Sequence, residues 1–324
     1  MNQEKPLDEI MEFMPPNIRS MIEYIPKNIA LKTEEIRLRL GKPIMICGDD
    51  WDFYIDASGN LTRDFRCSYC ITRSDINKAS EIIQCYSVYS FDEELRNGYI
   101  TIPGGHRVGI AGRTVLENGN IRTIKDISFI NYRVAREIAG AADNVLGHIV
   151  GRYSIMFNTL IISPPQCGKT TLLRDIIRQL SNGVDKLRIK GRKIGLIDER
   201  SEIAACFMGE PKNDVGMRTD ILDACPKAKG IIMMIRSMSP EIIATDEIGK
   251  LEDAEALLEA VNAGVKIIAT MHGNGIEDLF RKIELKRIHY NFFERIIILG
   301  RSKGVGTVEK IYDASGKELY SNSL

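Results

Sequence analysis

The fold is decided by one stretch of the chain, Leu160-Ile161-Ile162-Ser163-Pro164-Pro165-Gln166-Cys167-Gly168-Lys169-Thr170-Thr171-Leu172-Leu173. It reads as an apolar strand, a tight loop and the start of a helix, which is the context that a Walker A phosphate-binding loop requires. The backbone amides of such a loop and the N-terminus of its helix favour anionic oxygens. We therefore predict that residues 163–171 bind the phosphates of ATP.

Individual side chains of this loop have predicted roles. Lys169, which we expect to be exposed, reaches the β- and γ-phosphates, and the Thr170 hydroxyl holds Mg²⁺. Gly168 lets the backbone approach a phosphate because it has no side chain. Ser163 replaces the first glycine of G-x-x-x-x-G-K-[ST], and a serine can start this turn if its φ is negative. The alternative is a chance Gly-Lys-Thr at a helix start, and the acids farther along the chain argue against it.

The second half of the chain alternates short apolar strands with helices. This alternation predicts an α/β fold in which a parallel sheet carries helices on both faces. We assign residues 151–324 to this P-loop domain and residues 138–150 to a linker. The predicted strands are 160–162, 194–197, 242–245 and 265–270, the helices are 170–180, 230–238, 251–263 and 276–287, and a closing hairpin joins 296–299 to 307–312.

Residues 1–137 are predicted to form a smaller α+β domain. Its first helical pattern is interrupted by Pro15-Pro16. Ser90 and Glu93 form a capping box for a later helix, which ends at Gly98. The predicted helices include 7–25 and 74–83, and alternating apolar and polar residues predict strands at 35–40, 44–47, 99–102, 107–115 and 121–124.

Two of the apolar strands end in pairs of acids, Asp198-Glu199 and Asp246-Glu247. The C-terminal ends of the strands border the nucleotide in a P-loop fold, so both pairs are expected to face it. The second pair has the Walker B form. We assign Asp246 to Mg²⁺ and Glu247 to orienting or deprotonating the attacking water, with Asp198 and Glu199 as further catalytic candidates. Helix capping at the surface is the alternative, and it explains one pair more easily than two.

Further candidates are a histidine and several arginines. His272 follows another predicted strand, where it can contact the γ-phosphate or couple it to the next element, although a lone histidine is more often structural. A transferring phosphoryl group usually needs an arginine to stabilise its charge, and a neighbouring subunit often supplies it. Sequence alone does not choose among Arg107, Arg113, Arg133, Arg200, Arg218 and Arg236.

Composition narrows the possible classes of protein. The chain of 324 residues carries 44 Lys plus Arg against 44 Asp plus Glu, so its net charge does not attract nucleic acid or anionic membranes. The N-terminus lacks a signal-peptide pattern and no apolar stretch reaches the length of a membrane span, so we expect a cytoplasmic protein. Seven scattered cysteines fit reduced thiols. Cys67 and Cys70 have zinc-like spacing, but no second pair follows them.

The order of these motifs resembles the type II/IV secretion ATPases. An acidic box at 197–202, the helix, proline and Walker B stretch at 234–247 and a histidine box at 269–273 follow the P-loop as they do in that superfamily. Segments 98–113, 198–203 and 225–230 are similar to those of its sporulation members. Two positions depart from the pattern, because Ser163 and Gln166 stand where glycine is common.

The resemblance implies more than the residues do. It implies a RecA-like ATPase core behind an N-terminal domain, assembled as a hexameric ring. It also implies that the partners are membrane proteins of a sporulation channel complex, on the mother-cell face of the forespore membrane. Arg107 and Arg113 share one predicted strand and the same parity, so we expect them to project together toward the phosphates, with two solvated arginines as the alternative.

Other functions remain open at this stage. An assembly scaffold that binds ATP with little turnover is one alternative, and Glu247 argues against it. A RecA-like ATPase that translocates nucleic acid is another, but the neutral charge and the lack of an aromatic and basic stripe make nucleic acid an unlikely partner. A transporter of the ABC type is disfavoured because its Ser-Gly-Gly-Gln signature is missing, and nothing indicates the acceptor site of a small-molecule kinase.

Overall fold

A computed structural model describes residues 6–48, 50–86, 95–96, 98–135, 138–206, 208–281 and 292–322. The chain divides into two compact units, Met1–Arg136 and Glu137–Leu324. No helix of the described residues is long and apolar enough to cross a membrane.

The first unit contains a seven-stranded antiparallel sheet in the order β4-β3-β2-β1-β7-β6-β5. Its strands are β1 (Glu35–Arg39), β2 (Met45–Cys47), β3 (Asp52–Ile55), β4 (Leu61–Thr62), β5 (Tyr99–Ile102), β6 (His106–Glu117) and β7 (Asn120–Arg133). The helices are α1 (Pro6–Met11), α2 (Pro16–Glu23), α3 (Lys27–Ala30) and α4 (Arg73–Tyr86).

Alternation along the strands builds the core of this unit. Ile36, Leu38, Val108 and Tyr132 are buried in one cluster with apolar residues of the helices, while their neighbours in the strands are less buried. The predicted strands of this unit are confirmed, but β7 is much longer than the predicted 121–124. The strands β3 and β4 were not predicted, because neither has a clear apolar alternation. The capping box predicted at Ser90 and Glu93 lies outside the described residues.

The second unit contains an eight-stranded sheet in the order β10-β9-β11-β12-β8-β13-β14-β15. The first six strands in this order are parallel, and the last two are antiparallel. The strands are β8 (Thr159–Ser163), β9 (Ile194–Asp198), β10 (Thr219–Asp223), β11 (Ile242–Thr245), β12 (Lys266–His272), β13 (Arg295–Gly300), β14 (Thr307–Asp313) and β15 (Glu318–Ser321). The helices are α5 (Leu146–Ile149), α6 (Lys169–Asn182), α7 (Lys227–Met238), α8 (Leu251–Asn262) and α9 (Ile276–Arg281).

Helices cover both faces of this sheet. Ile161 of β8 packs in a cluster with Leu172 of α6, whereas the adjacent Leu160 packs in a second cluster with Ile231 of α7 and Leu257 of α8. Because neighbouring residues of a strand point to opposite faces, the two clusters lie on opposite sides of the sheet. All five residues of β8 are buried, which explains its continuous apolar sequence.

The remaining differences from the predicted elements lie at the edges and ends. The edge strands β10 and β15 were not predicted, because they are only partly buried or exposed and their sequences are largely polar. Helix α7 begins at Lys227 and not at residue 230. Helix α9 is described to Arg281, and the rest of the helix predicted to residue 287 lies outside the described residues. The closing hairpin is confirmed as β13 and β14.

Candidate functional site

The loop between β8 and α6 contains two residues with a positive φ. Gly168 has a φ of +80° and Gln166 a φ of +58°, so both adopt the left-handed region. This conformation costs little at Gly168, because glycine has no side chain, whereas it is disfavoured at Gln166. Ser163 is fully buried at the end of β8 and does not take a positive φ, as the turn requires of a serine.

Lys169 is buried, so the prediction of an exposed lysine was wrong. Its side chain folds back along the loop, where Nζ lies 3.3 Å from Ser163 Oγ and 3.3 Å from the Pro164 carbonyl oxygen. The same Nζ lies 3.0 Å from Nδ1 of His272. Burial lowers the pKa of Lys169, although the negative charge of Glu247 opposes this shift.

His272 connects the loop lysine to Glu247. Strands β8 and β12 are neighbours, and their register sets His272 beside Ser163. The other ring nitrogen of His272, Nε2, lies 3.5 Å from Glu247 Oε1, and Glu247 Oε2 lies 2.5 Å from Nη1 of Arg200. The backbone N–H of Glu247 donates to Thr270 Oγ1 at 2.8 Å, which fixes the start of this acidic segment. Residues from β8, β11, β12 and the loop after β9 therefore meet at one edge of the sheet.

A second group of charges surrounds Lys227, a residue that sequence reasoning missed. Its ammonium pairs with Glu199 after β9, and it lies 3.3 Å from Asp246 Oδ1 after β11. Burial by itself lowers the pKa of Lys227, but the nearby Asp246 and Glu199 raise it above its usual value. Burial also raises the pKa of Asp246, and Lys227 opposes that shift.

The position of Lys227 held a signal that could have identified it. It is the first residue of α7, directly after Pro226. A cation at a helix N-terminus is unfavourable because the helix dipole is positive at that end. A buried lysine there therefore indicates acidic partners nearby.

Asp198 is engaged within its own loop. It is fully buried, and its two carboxylate oxygens accept backbone N–H groups from Glu202, Ile203 and Ala204 at 2.8 to 2.9 Å. Burial raises its pKa to about 6, while the bond from Ala204 acts in the opposite direction. Asp198 therefore holds the backbone of the acidic box in its conformation. Its catalytic role stays a prediction.

Arg174 joins the acidic box to the helix that follows the phosphate-binding loop. This buried residue of α6 donates from Nε to the Ile203 carbonyl oxygen at 2.6 Å and from Nη2 to the Glu202 carbonyl oxygen at 2.7 Å. It was not among the predicted candidates, because its partners are backbone atoms that leave no pattern in the sequence.

The two arginines predicted in the first unit lie in different surroundings. The Arg107 guanidinium lies 4.3 Å from the centre of the Tyr99 ring, and Arg113 Nε lies 2.9 Å from Asp126 Oδ2. The pairing of β6 with β7 shifts register between them. At this bulge a Cβ on Gly112 would lie 2.6 Å from the Lys125 carbonyl oxygen, which explains the glycine. The bulge interrupts the regular alternation of the strand, so the structure does not support the prediction that positions 107 and 113 project together.

Two of the other arginine candidates have structural contacts, and Arg236 lies at the surface. Arg218 Nη1 donates to the Ser181 carbonyl oxygen at 2.9 Å, and Arg133 Nε lies 3.8 Å from Glu35. Arg236 is exposed on α7. Of the six candidates, Arg200 is the one that the described residues bring to Glu247.

The predicted metal ligands fit magnesium. Thr170 and Asp246 offer a hydroxyl and a carboxylate, which are oxygen donors of the kind that Mg²⁺ prefers. The described residues contain no cluster of three or more His, Cys, Asp or Glu side chains that could hold a metal ion without other ligands. Mg²⁺ usually binds one or two protein groups together with phosphate oxygens and water.

The motifs and geometry agree with a family comparison. The model of the family described as "Sporulation stage III, protein AA" matches residues 3–319. The chain belongs to this family. It is 44% identical over 314 residues to the "Stage III sporulation protein AA" of Bacillus subtilis (strain 168), covering 97% of each chain.

Solved structures similar to this member of the sporulation stage III protein AA family include an ATPase and a pilus retraction motor. The ATPase DotB of Legionella pneumophila matches with a TM-score of 0.53 and 18% identity over 87% of this chain and 74% of that one. The pilus retraction motor PilT matches with a TM-score of 0.53 and 15% identity over 86% of this chain and 77% of that one. At such identities the likeness shows the fold, and it confirms the predicted RecA-like core of the α/β class behind a smaller N-terminal domain.

Proposed function

We propose that this chain hydrolyses ATP at the loop between β8 and α6. The observation that carries the proposal is the connected set of Lys169, His272, Glu247 and Arg200 at the carboxyl ends of the parallel strands. A phosphate-binding lysine and an acid able to act on water are thereby joined through one imidazole. The fold shared with DotB, and with PilT, whose structure is described with bound ADP, supports the same proposal.

Each group has a proposed task. The backbone N–H groups of residues 166–170 and the Lys169 ammonium bind the β- and γ-phosphates, and Thr170 and Asp246 hold Mg²⁺. When bound, Mg²⁺ neutralises part of the phosphate charge. Glu247 orients or deprotonates the attacking water. Glu199 and Asp198 support the site from the acidic box, the first through Lys227 and the second through the loop backbone.

The assembly is also a proposal. We infer a homo-oligomer, in the form of a hexameric ring, that works with membrane proteins of a sporulation channel complex at the mother-cell face of the forespore membrane. Family membership supports the link to sporulation, and the secretion-ATPase resemblance supports the ring. Arg107 and Arg113 are the first-unit candidates for an arginine that stabilises phosphoryl charge in such an assembly.

A second candidate function is an ATP-dependent assembly scaffold with little turnover. It is favoured by the contact between Glu247 Oε2 and Arg200 at 2.5 Å, because this pairing holds the carboxylate on a guanidinium and not on water. The two functions share the nucleotide site and differ in what Glu247 does.

The deciding experiment measures binding and turnover on the same full-length protein. Mg-ATP affinity is measured with a fluorescent ATP analogue, and hydrolysis is measured as phosphate release. We expect saturable binding and steady turnover that disappears without Mg²⁺. Binding with turnover no higher than that of Glu247→Gln selects the scaffold, and the absence of binding rejects both functions.

A further inference from the structure

The turn between β13 and β14 lies against the phosphate-binding loop. Arg301, the first residue of this turn, donates from Nη2 to the carbonyl oxygen of Gln166 at 2.8 Å. On the other side of the turn, Gly306 approaches Gly168 so closely that a Cβ on Gly168 would lie 3.1 Å from Gly306 Cα. The hairpin that closes the sheet is therefore in contact with two of the loop residues that have a positive φ.

The bond to Gln166 controls the direction of a neighbouring amide. A peptide unit is planar and trans, so the carbonyl of Gln166 and the N–H of Cys167 point in opposite directions. Arg301 binds the carbonyl and thereby fixes the N–H of Cys167 on the opposite side. Inward-pointing amides are what a loop of this kind uses to bind anionic oxygens.

Gln166 is the loop residue that most needs such support. Its left-handed backbone is disfavoured for a residue with a side chain, and glycine is the residue that adopts it freely. Surrounding contacts must hold a non-glycine residue in this region. The bond from Arg301 is such a contact, because it holds the carbonyl oxygen of the residue whose φ is positive.

The turn that carries Arg301 is itself held in place. The backbone N–H of Ser302 donates to Glu309 Oε1 at 3.0 Å and its hydroxyl donates to Glu309 Oε2 at 2.8 Å. Lys303 Nζ donates to Asn322 Oδ1 at 2.7 Å, and Thr307 Oγ1 donates to the Gly304 carbonyl oxygen at 2.7 Å. The exposed side chain of Arg301 therefore extends toward the phosphate-binding loop from a turn that hydrogen bonds hold in place.

We propose that Arg301 is a positioning residue that keeps the phosphate-binding loop in its nucleotide-binding conformation. The inference rests on the proposed function, because it names a determinant of the same site. Arg301 acts through the backbone of Gln166, so it sets the affinity for the phosphates of ATP and ADP. It does not act on the attacking water, so the rate of hydrolysis at saturating ATP is nearly independent of it.

The test compares Arg301→Ala, Arg301→Lys and the matched control Lys317→Ala in the full-length protein. Lys317 is an exposed cation in the turn between β14 and β15. We expect Arg301→Ala to weaken Mg-ADP and Mg-ATP binding by roughly three- to tenfold, the range for one hydrogen bond, with kcat changed less than twofold. Arg301→Lys recovers part of the affinity, and Lys317→Ala leaves it unchanged. The melting temperatures of the variants without nucleotide stay the same.

Three results overturn the inference. Unchanged affinity in Arg301→Ala shows that the contact does not position the loop. An equal loss in Lys317→Ala shows a general effect of positive charge, and a loss of kcat at unchanged affinity shows a role in the reaction itself. If the wild-type protein binds neither ATP nor ADP, the proposed function is rejected and the inference is rejected with it. If the wild type binds nucleotide but Arg301→Ala has unchanged affinity, only the inference about Arg301 is rejected.

Discussion

Nζ of Lys169 lies 3.0 Å from Nδ1 of His272, although 103 positions separate the two residues in the chain. A lysine ammonium is a donor without an acceptor site, so Nδ1 of His272 must be the acceptor. The neutral ring then carries its proton on Nε2, which lies 3.5 Å from Glu247 Oε1. One imidazole in one tautomer thus accepts from Lys169 at one end and lies near the candidate base, Glu247, at the other.

This arrangement predicts that His272 matters more for turnover than for binding. In His272→Ala the connection between Lys169 and Glu247 is lost, so we expect kcat to fall roughly tenfold. This loss is smaller than the one expected when the acid–base group itself is removed. Mg-ATP affinity should change by less than about threefold, because Lys169 keeps its other contacts with the loop. His272→Gln is the control, since its amide oxygen still accepts from Lys169. An unchanged kcat in His272→Ala would contradict the proposed connection.

Glu247→Gln is expected to retain nucleotide and lose hydrolysis. The amide preserves the size of the side chain but cannot accept a proton from water, so kcat should fall by about a hundredfold or more. Mg-ATP affinity, measured with the fluorescent analogue, should stay close to that of the wild type. Glu252→Gln, which removes the same charge from an exposed position at the start of α8, is the matched control. Normal hydrolysis in Glu247→Gln would show that another group activates water.

Lys227 is expected to stabilise the fold as well as the site. Lys227→Met leaves Asp246 and Glu199 without their shared cation, and removing one partner of a buried ion pair typically lowers the free energy of unfolding by about 3–5 kcal/mol. The measurement is urea denaturation at neutral pH. Lys229→Met, two positions along the same helix at an exposed site, should change stability by less than about 0.5 kcal/mol. Equal stability of the two variants would contradict the ion-pair assignment.

Burial of Asp198 predicts a specific dependence on pH. Its pKa in the fold is raised to about 6, above the value near 3.9 in an unfolded chain, so the folded state binds the extra proton between about pH 4 and 6. The stability that this proton provides is present at low pH and is lost as the pH rises through 6. Relative to Asp198→Asn, the free energy of unfolding should fall by up to about 3 kcal/mol over this window. A difference that is flat or rises with pH would show that the amides of residues 202–204 outweigh burial.

The sequence predicted the parts of the site that depend on local order. The strand, loop and helix around residues 160–173 and the acids after β9 and β11 follow from apolar runs and from the short segments that punctuate them. Such patterns identify the end of the sheet where charged residues gather. They predicted the fold class and the location of the candidate site.

The contacts within the site depend on strand order, which local patterns do not contain. Lys227 bonds both Glu199 and Asp246 because β9 and β11 are neighbours, although β10 and α7 lie between them in the chain. Arg301 reaches Gln166 because β13 is the neighbour of β8. The contact between Lys169 and His272 depends on another pair of neighbouring strands, since the register of β12 against β8 brings His272 to the loop.

Arg107 provides the last prediction, because its surroundings differ from those of Arg113. It is directly opposite Arg133 in the pairing of β6 with β7, so two like charges lie side by side on one face of the sheet. Glu35 lies 3.8 Å from Arg133, while the Arg107 guanidinium lies over the Tyr99 ring. Cations placed side by side repel each other, and a phosphate group that approached this face would be attracted to both.

If Arg107 supplies charge to a transferring phosphoryl group, Arg107→Ala should lower kcat by roughly a hundredfold, the size expected for one preorganised donor. Arg113→Ala should have a smaller effect, because its guanidinium is already paired with Asp126 in an exposed position. Arg122→Ala is the matched control, since Arg122 forms a similar exposed pair with Glu117 on the same hairpin. Sedimentation of each variant separates a loss of turnover from a loss of assembly. Full activity in Arg107→Ala would leave its guanidinium a structural role beside Tyr99 and would remove the first unit from the catalytic proposal.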